Sequence, residues 1–126
     1  MNWLLVAMGG AIGSMARYGV GVSSLRLLGP GWPYGTLIVN VVGGLLMGVL
    51  ASWLAHAMPP EHERWRVLLG VGLMGGFTTF SAFSLDAALM LERRAYGEAG
   101  LYIVLSAALS IAALFAGLLL ARKVFA

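Results

Sequence analysis

The chain has 126 residues, of which 60% are hydrophobic and 10% are charged, with no cysteine and a formal net charge of +3; its mean hydropathy is +0.91. A soluble globular domain is about 45–50% apolar and about 25% charged, so this composition predicts an integral membrane protein without a separate soluble domain. The lack of cysteine excludes disulfides and thiolate metal sites, and the eight Lys and Arg residues form no basic run of the kind that binds nucleic acid.

Four apolar segments follow in order, each long enough to cross a hydrocarbon core of about 30 Å, which takes roughly 20 helical residues. They cover about residues 2–28, 36–57, 67–91 and 99–121. Turn-forming or polar stretches separate them: GPGWPYG, MPPEHERWR and ERRAYGE. Because backbone groups in lipid must pair internally, each segment is predicted to be a helix. The sequence therefore predicts an all-α integral membrane protein, a single four-helix transmembrane domain over residues 1–126.

The charges in the loops bear on orientation. With an even number of spans, the side that holds both termini carries Arg64, Arg66, Arg122 and Lys123, and the other side carries Arg26, Arg93 and Arg94. This near balance predicts no preferred orientation, so the chain can insert both ways. We therefore expect an antiparallel, dual-topology homodimer, equivalent to an inverted-repeat transporter whose halves were never fused. The alternative is that a partner or cofactor sets a single orientation.

Glycines four residues apart occur as pairs in three of the segments: Gly9 with Gly13, Gly44 with Gly48, and Gly72 with Gly76. Such pairs present smooth faces to neighbouring helices. We expect these glycines to serve packing rather than chemistry.

Polar side chains form stripes on three predicted helices. The second helix has Thr36, Asn40, Gly44 and Gly48, the fourth has Tyr102, Ser106 and Ser110, and the third has Thr79, Ser81 and Ser84 interleaved with Phe77, Phe80 and Phe83. A single Ser or Thr in a helix usually bonds its own backbone, but three aligned stripes in a membrane indicate a pathway. Asn40 stands out because a mid-membrane amide needs partners beyond its own helix.

The stripes are rich in hydrogen-bond donors and nearly free of charge. Hydroxyl and amide groups donate to anions, and aromatic ring edges carry partial positive charge. A small, strongly hydrated anion could exchange its water for these groups, whereas fixed cations would bind it too tightly for release. Asp86 is the only acid within a predicted span. Its place near one end of the third span favours a vestibule position, with a solvated helix cap as the alternative.

Arg17 is the only charge in the middle of a span. It either attracts anions or bonds carbonyls exposed where another helix breaks, and the second, structural role is favoured. His56, His62, Glu61 and Glu63 lack the spacing of metal ligands, so their loop is predicted to be a solvated connector. No nucleophile–base arrangement or phosphate-binding loop is present, so an enzyme is not expected.

Three motifs resemble the Fluc (CrcB) fluoride channels: GGAIGSMARY, GTLIVNVVGGLLMG and GLMGGFTTFSAFS, at residues 9–18, 35–48 and 72–84. The resemblance extends over all four segments, in order and at the family's chain length. It implies a fluoride-selective channel in a prokaryotic inner membrane, a dual-topology homodimer with two pores. Such a channel exports fluoride passively, relieves fluoride toxicity and rejects chloride.

The resemblance also implies roles for single residues. Asn40 would be the pore asparagine that donates to fluoride, and Phe80 and Phe83 would be the paired phenylalanines that offer ring edges. The remaining polar lining would be Thr36, Thr79, Ser81, Ser84, Tyr102, Ser106 and Ser110. One departure is Ala82, where the family often has threonine or serine, so that one hydroxyl is missing from the polar track.

The family further has a structural sodium ion at the dimer interface, held by backbone carbonyls at a break in the third helix. In this sequence the break maps onto Gly75 and Thr78, within GGFTTFSAFS. Physical reasoning agrees, because an unwound helix exposes carbonyls that need a ligand in lipid. Two inverted copies would together offer four such carbonyls to an ion that is not transported.

Two other functions compete with a channel. A small multidrug-type proton-coupled antiporter shares the size, the four spans and the dual topology, but it needs a membrane-embedded glutamate in its first helix, where this chain has Arg17. A non-conducting assembly subunit would need only glycine-rich packing faces. That function leaves Asn40 and the hydroxyl stripes unexplained, so the fluoride channel is preferred.

Overall fold

A computed structural model describes residues 2–125, and no strand occurs in that part of the chain. The helices are α1 (Asn2–Leu28), α2 (Tyr34–Ala57), α3 (residues 62–77), α4 (Phe80–Glu92) and α5 (Tyr96–Phe125). Helix α3 is continuous but changes in pitch: His62–Trp65 and Gly75–Phe77 are α-helical, and Arg66–Met74 between them is a π-helix. Helices α3 and α4 are the two halves of the predicted third span.

Three helical segments among the described residues are long and apolar enough to cross a membrane: Tyr34–Ala57, His62–Glu92 and Tyr96–Val124. The chain is therefore a multi-pass membrane protein. Helix α1 has 27 residues, which is also enough length, but its glycines, serines and two arginines make it less apolar than the other three.

Helices α1 and α3 pack in parallel through glycines. Gly9 and Gly13 are buried, and a side chain on either would collide with backbone atoms of α3 at Leu68 or Leu73. On the facing side, a Cβ at Gly76 would lie 2.6 Å from the carbonyl oxygen of Gly10. The two backbones therefore touch, as small residues permit in membrane helix pairs.

Helices α2 and α5 share the most extensive contact between any two helices of the described chain, and they also run parallel. A Cβ at Gly44 would lie 2.7 Å from the carbonyl oxygen of Ser110, and side chains at Gly48 or Gly117 would collide with the opposite backbone. This contact brings the polar stripe of α2 alongside that of α5.

The third span is interrupted at Thr78 and Thr79, whose backbones are extended at φ −88°, ψ 159° and φ −151°, ψ 120°. The predicted break began at Gly75, but Gly75 is helical, with φ −61° and ψ −38°. The difference has a physical reason. Glycine lets α3 pack closely, whereas β-branched threonines favour extended backbone and bring hydroxyls that bond neighbouring backbone groups.

Candidate functional site

The break between α3 and α4 is bridged by the side chain of Asn40 from α2. The Asn40 Oδ1 atom accepts a hydrogen bond from the Thr79 N–H at 2.8 Å, and Asn40 Nδ2 donates to the Thr79 carbonyl at 3.0 Å. These two bonds satisfy both backbone groups of Thr79, which an interrupted helix cannot satisfy itself. The partner that Asn40 requires in the membrane is therefore the backbone of the broken helix.

Arg17 bonds the other side of the same break. Its Nε donates to the carbonyl of Gly76 at 3.0 Å. This contact is of the kind expected for the structural role, in which Arg17 bonds a carbonyl that a broken helix exposes. The guanidinium also places a positive charge beside the break, on the wall of a side cavity between α1, α2 and α4.

The two threonines of the break use their hydroxyls on backbone groups. Thr78 Oγ1 donates to the Met74 carbonyl at 2.9 Å, which closes the end of α3. Thr79 Oγ1 accepts from the Ala82 N–H at 3.1 Å and is the N-cap of α4. Threonine at an N-cap satisfies one of the unpaired N–H groups at a helix start.

Carbonyls at the break are freed from helical bonding. In an unbroken α-helix the Thr79 N–H would donate to the carbonyl of Gly75, but here it donates to Asn40. The Thr78 carbonyl lies in extended backbone. Unwound carbonyls of this kind coordinate Na⁺ in membrane transporters, so Gly75 and Thr78 have suitable donor chemistry for a sodium ion.

A central cavity of about 470 Å³ lies between α2, the break and α5. Eight of the predicted site residues line it: Asn40, Gly75, Thr78, Thr79, Phe80, Phe83, Ser106 and Ser110. The structure therefore brings together most of the residues that the stripes and the resemblance single out. The cavity also has apolar walls, from Met47, Met74 and others.

Two hydroxyls on the α5 side of the central cavity have no hydrogen-bond partner among the described residues. They are the Oγ atoms of Ser106 and Ser110, and both atoms are buried. A buried polar group without a partner costs about 1–3 kcal/mol. Such a cost is offset when the group has a ligand, so these hydroxyls are candidates for a hydrogen-bonding role.

The two phenylalanines of α4 face different surroundings. Phe83 is partly buried, with its ring centroid 5.2 Å from that of Tyr102, while Phe80 is 78% exposed. The two rings are 5.6 Å apart and tilted by 49°. Phe80 therefore projects away from the helices of its own chain.

An end cavity of about 480 Å³ opens near the α1–α2 connection, and Asp86 and Thr36 line it. Tyr102 is fully buried beside it and donates its hydroxyl to Asp86 Oδ2 at 3.1 Å. The placement of Asp86 agrees with the predicted vestibule. Thr36 and Tyr102 thus belong to this end of the molecule rather than to the central cavity.

Three positions of α4 lie away from the central cavity. Ser84 donates to the carbonyl of Phe80 at 2.9 Å, and Ser81 Oγ is 3.3 Å from Thr79 Oγ1; both serines are exposed. Ala82 lines the side cavity with Arg17, so the hydroxyl that it lacks would not face Ser106 and Ser110.

Carboxylates at the end of the α2–α3 loop and in the first turn of α3 pair with arginines of α3. Glu61 bonds Arg64 at 3.0 Å, and Glu63 forms an ion pair with Arg66. These exposed pairs fit the solvated connector that the sequence predicts.

One contributor to the end cavity was not singled out in the sequence, where the GPGWPYG stretch signals only a turn. Trp32 packs edge-on against Tyr102 with ring centroids 5.2 Å apart. The available signal is the tryptophan itself, directly before Pro33 at the N-cap of α2, because so large an aromatic side chain is favourable to bury.

Comparison with known proteins adds independent evidence. The family model described as "CrcB-like protein, Camphor Resistance (CrcB)" matches residues 4–118. A "Fluoride-specific ion channel FluC" of Caulobacter vibrioides (strain NA1000 / CB15N) is 68% identical over 123 residues, which cover 98% of this chain and 97% of the relative.

More distant relatives have the same description. A "Fluoride-specific ion channel FluC" of Caulobacter sp. (strain K31) is 66% identical over 122 residues, 97% of this chain and 95% of the relative. One of Hyphomonas neptunium is 51% identical over 125 residues, 99% of this chain and 98% of the relative. The similarity therefore covers nearly the whole length of both proteins in each case.

Proposed function

This chain belongs to the CrcB family, and we propose that it is a fluoride-selective ion channel that conducts fluoride passively across the membrane. Its relatives are described as fluoride-specific ion channels over nearly their full length. An ion channel is not an enzyme, which agrees with the expectation from the sequence. We further propose that the channel lies in the inner membrane and exports fluoride, relieving its toxicity.

The observation that supports this function most directly is the donor-rich central cavity. Asn40 has one Nδ2 hydrogen beyond the one given to Thr79, and Ser106 and Ser110 have buried hydroxyls without a partner in the described chain. Fluoride is small and strongly hydrated, so it needs close hydrogen bonds in place of the water it leaves. These three groups can supply them along the contact between α2 and α5.

The cavity lining also favours release. None of the residues that line the central cavity is charged. Neutral donors and ring edges bind an anion without the strong attraction of a cationic side chain, as conduction requires. Arg17 lies beside the break, but its Nε bonds Gly76. We propose that it raises the local anion concentration without trapping the ion.

We propose that the conducting unit is an antiparallel, dual-topology homodimer in which α1 forms a fourth span. Two features favour a second copy: the near balance of loop charges, and the 78% exposure of Phe80 beside a cavity that is open on one side. A partner copy would cover Phe80 and complete the wall of each cavity. The dimer would then have two pores.

We propose that the carbonyls of Gly75 and Thr78 hold a structural sodium ion on the two-fold axis of that dimer. The fit rests on the backbone of the break, where the Thr79 N–H no longer bonds Gly75. A sodium ion bound there would supply a positive charge shared by two chains. This chain contributes the carbonyl oxygens, kept in place by Asn40 and by the bond from Thr78 Oγ1 to Met74.

The antiporter alternative lacks a supporting feature. It requires an embedded carboxylate in the first span, and α1 contains none between Asn2 and Leu28. Asp86, the acid of the third span, lies at the end cavity and is bonded by Tyr102. The central cavity therefore has no group that would bind and release a proton.

Anion efflux from liposomes that contain the purified protein tests the proposal. We expect fast, electrogenic fluoride efflux and no chloride efflux. A proton-coupled antiporter would instead show efflux that follows a proton gradient in fixed ratio, and an assembly subunit would show none; either result would refute the channel. For the sodium site, we expect the dimer to melt at lower temperature when a bulky organic cation replaces sodium, because a ligand at 100 times its Kd stabilises by about 2.7 kcal/mol.

A further inference from the structure

Asn40 makes an unusual contact for a residue expected to face an anion. Both of its resolved hydrogen bonds, at 2.8 and 3.0 Å, go to the backbone of one residue, Thr79. Asn40 accepts one bond from the Thr79 N–H and donates the other to the Thr79 carbonyl. A neighbouring β-strand exchanges the same two bonds with an extended residue. The side chain thus replaces a backbone partner that the membrane interior cannot provide.

This contact determines the geometry on both sides of the break. It holds Thr79 in extended backbone, and in that conformation Thr79 Oγ1 caps α4 at the Ala82 N–H. It also keeps the Thr79 N–H away from Gly75, its acceptor in a continuous helix. The freed carbonyl of Gly75 and the start of α4 at Phe80 therefore both depend on one amide.

We propose that Asn40 is a positioning residue that holds the third span open at Thr79, in addition to its place on the wall of the central cavity. Its Oδ1 and one Nδ2 hydrogen hold the break, and the second Nδ2 hydrogen is left for a ligand. The same side chain thereby couples the anion path to the carbonyls of Gly75 and Thr78. The link from this role to ion conduction rests on the proposed channel and cation site, whereas the contact between Asn40 and Thr79 does not depend on them.

Amide hydrogen exchange of the full-length protein in lipid nanodiscs, read by mass spectrometry on peptides that cover residues 77–84, tests the proposal. The variants are Asn40→Ala, Asn40→Asp and, as the matched control from the same cavity, Ser110→Ala. Loss of one protecting hydrogen bond, at about 0.5–1.5 kcal/mol, should speed exchange around Thr79 by up to about tenfold in Asn40→Ala. The Ser110 hydroxyl has no hydrogen-bond partner among the described residues. Exchange at residues 77–84 in Ser110→Ala should therefore equal that in the unsubstituted protein.

Asn40→Asp keeps the proposal testable if Asn40→Ala does not fold. Asn40→Asp has nearly the same shape and keeps an acceptor for the Thr79 N–H, but it places an oxygen against the Thr79 carbonyl. It should exchange faster than the unsubstituted protein and more slowly than Asn40→Ala. Peptides of α5 should be unchanged in each variant that folds. Unchanged exchange at residues 77–84 in a folded Asn40 variant would overturn the proposal.

Sodium-dependent melting separates this role from that of an anion donor. Asn40→Ala should lose the difference in Tm between sodium and an organic cation, while Ser110→Ala should keep it. Retention of the full difference in Asn40→Ala would show that Asn40 serves the anion alone. If the unsubstituted protein shows no sodium effect, the cation site of the proposed function fails, and the exchange result still decides the role of Asn40. Absence of fluoride efflux would refute the proposed channel, but it would change neither the hydrogen-exchange result nor the melting result.

Discussion

At the scale of single residues, hydrogen bonds to backbone groups decide what the polar side chains can do. Asn40 and Arg17 lie on different helices, and each bonds a backbone group next to the same break. Thr78 and Thr79 use their hydroxyls on the helix ends that they join. Among the described residues that line the central cavity, one hydrogen of Asn40 and the hydroxyls of Ser106 and Ser110 have no such partner.

Asn40→Asp should abolish fluoride efflux. The carboxylate removes both amide donors and adds a negative charge to a cavity whose lining is otherwise uncharged, so it repels the anion strongly at low dielectric. Fluoride efflux from liposomes measures the effect, with far-UV circular dichroism to verify folding. Efflux at the unsubstituted rate would mean that the fluoride path does not pass Asn40.

Ser110→Ala should reduce fluoride efflux by roughly ten- to a hundredfold, because a hydrogen bond to a charged group contributes about 1.5–3 kcal/mol. The protein should be no less stable, since the Ser110 hydroxyl has no partner in the described chain. Ser23→Ala, at an exposed position of α1, is the control and should conduct normally. Equal efflux in the two variants would remove Ser110 from the path.

At the scale of helices, close glycine contacts place the polar groups. The parallel contact of α2 with α5 through Gly44, Gly48 and Gly117 aligns Asn40 with Ser106 and Ser110. The contact of α1 with α3 brings Arg17 to the break. The π-helix ends at Met74, and the Gly75 N–H still donates to Gly70. Over the five residues from Met74 to Thr78, the backbone hydrogen bonding therefore changes from π-helical to α-helical and then stops, on the wall of the central cavity.

Gly117→Ala should destabilise the protein, because its Cβ would collide with the backbone of α2 at Leu45. Overpacking of this kind costs about 1–3 kcal/mol. Gly100→Ala in the same helix meets nothing within 4 Å, and it should be neutral or slightly stabilising because alanine favours helix over glycine. Thermal unfolding of the two variants makes the comparison. A Tm equal to that of Gly100→Ala would contradict the close contact of α2 and α5.

At the scale of the whole molecule, one chain leaves its central cavity open on one side. Phe80 is exposed beside an open cavity, and the carbonyls of the break lie next to it. The loop charges give no reason for a single orientation. The proposed antiparallel dimer would account for these observations together.

Dual topology can be measured because the chain has no cysteine. A single Glu98→Cys substitution, at an exposed position in the first turn of α5, should be labelled by an impermeant maleimide from outside the cell in about half of the molecules. Glu61→Cys, in the α2–α3 loop and so on the opposite side, is the control and should also be half labelled. Complete labelling of one and none of the other would show a single orientation.

Much of this protein follows from its sequence. Composition and hydropathy determine a helical membrane protein, since only helices or closed barrels satisfy a backbone in lipid. The spacing of Asn40 with Gly44, and of Ser106 with Ser110, determines that these residues share helix faces. The motifs around Asn40 and Phe80 indicated the family to which the chain belongs. These features depend on local periods and residue types, so a linear sequence contains them.

Only the tertiary structure decided which groups meet. The break lies at Thr78 and Thr79 rather than from Gly75 onward: the threonines favour extended backbone locally, and Asn40 and Arg17 bond that backbone from helices distant in sequence. Tyr102 bonds Asp86 and packs against Trp32, although the sequence puts it in one stripe with Ser106. Hydrogen bonds between distant segments depend on how the helices cross and on which donors that crossing brings within reach, and no local pattern encodes either. The physical reason is that a buried polar group takes the partner that packing brings to it.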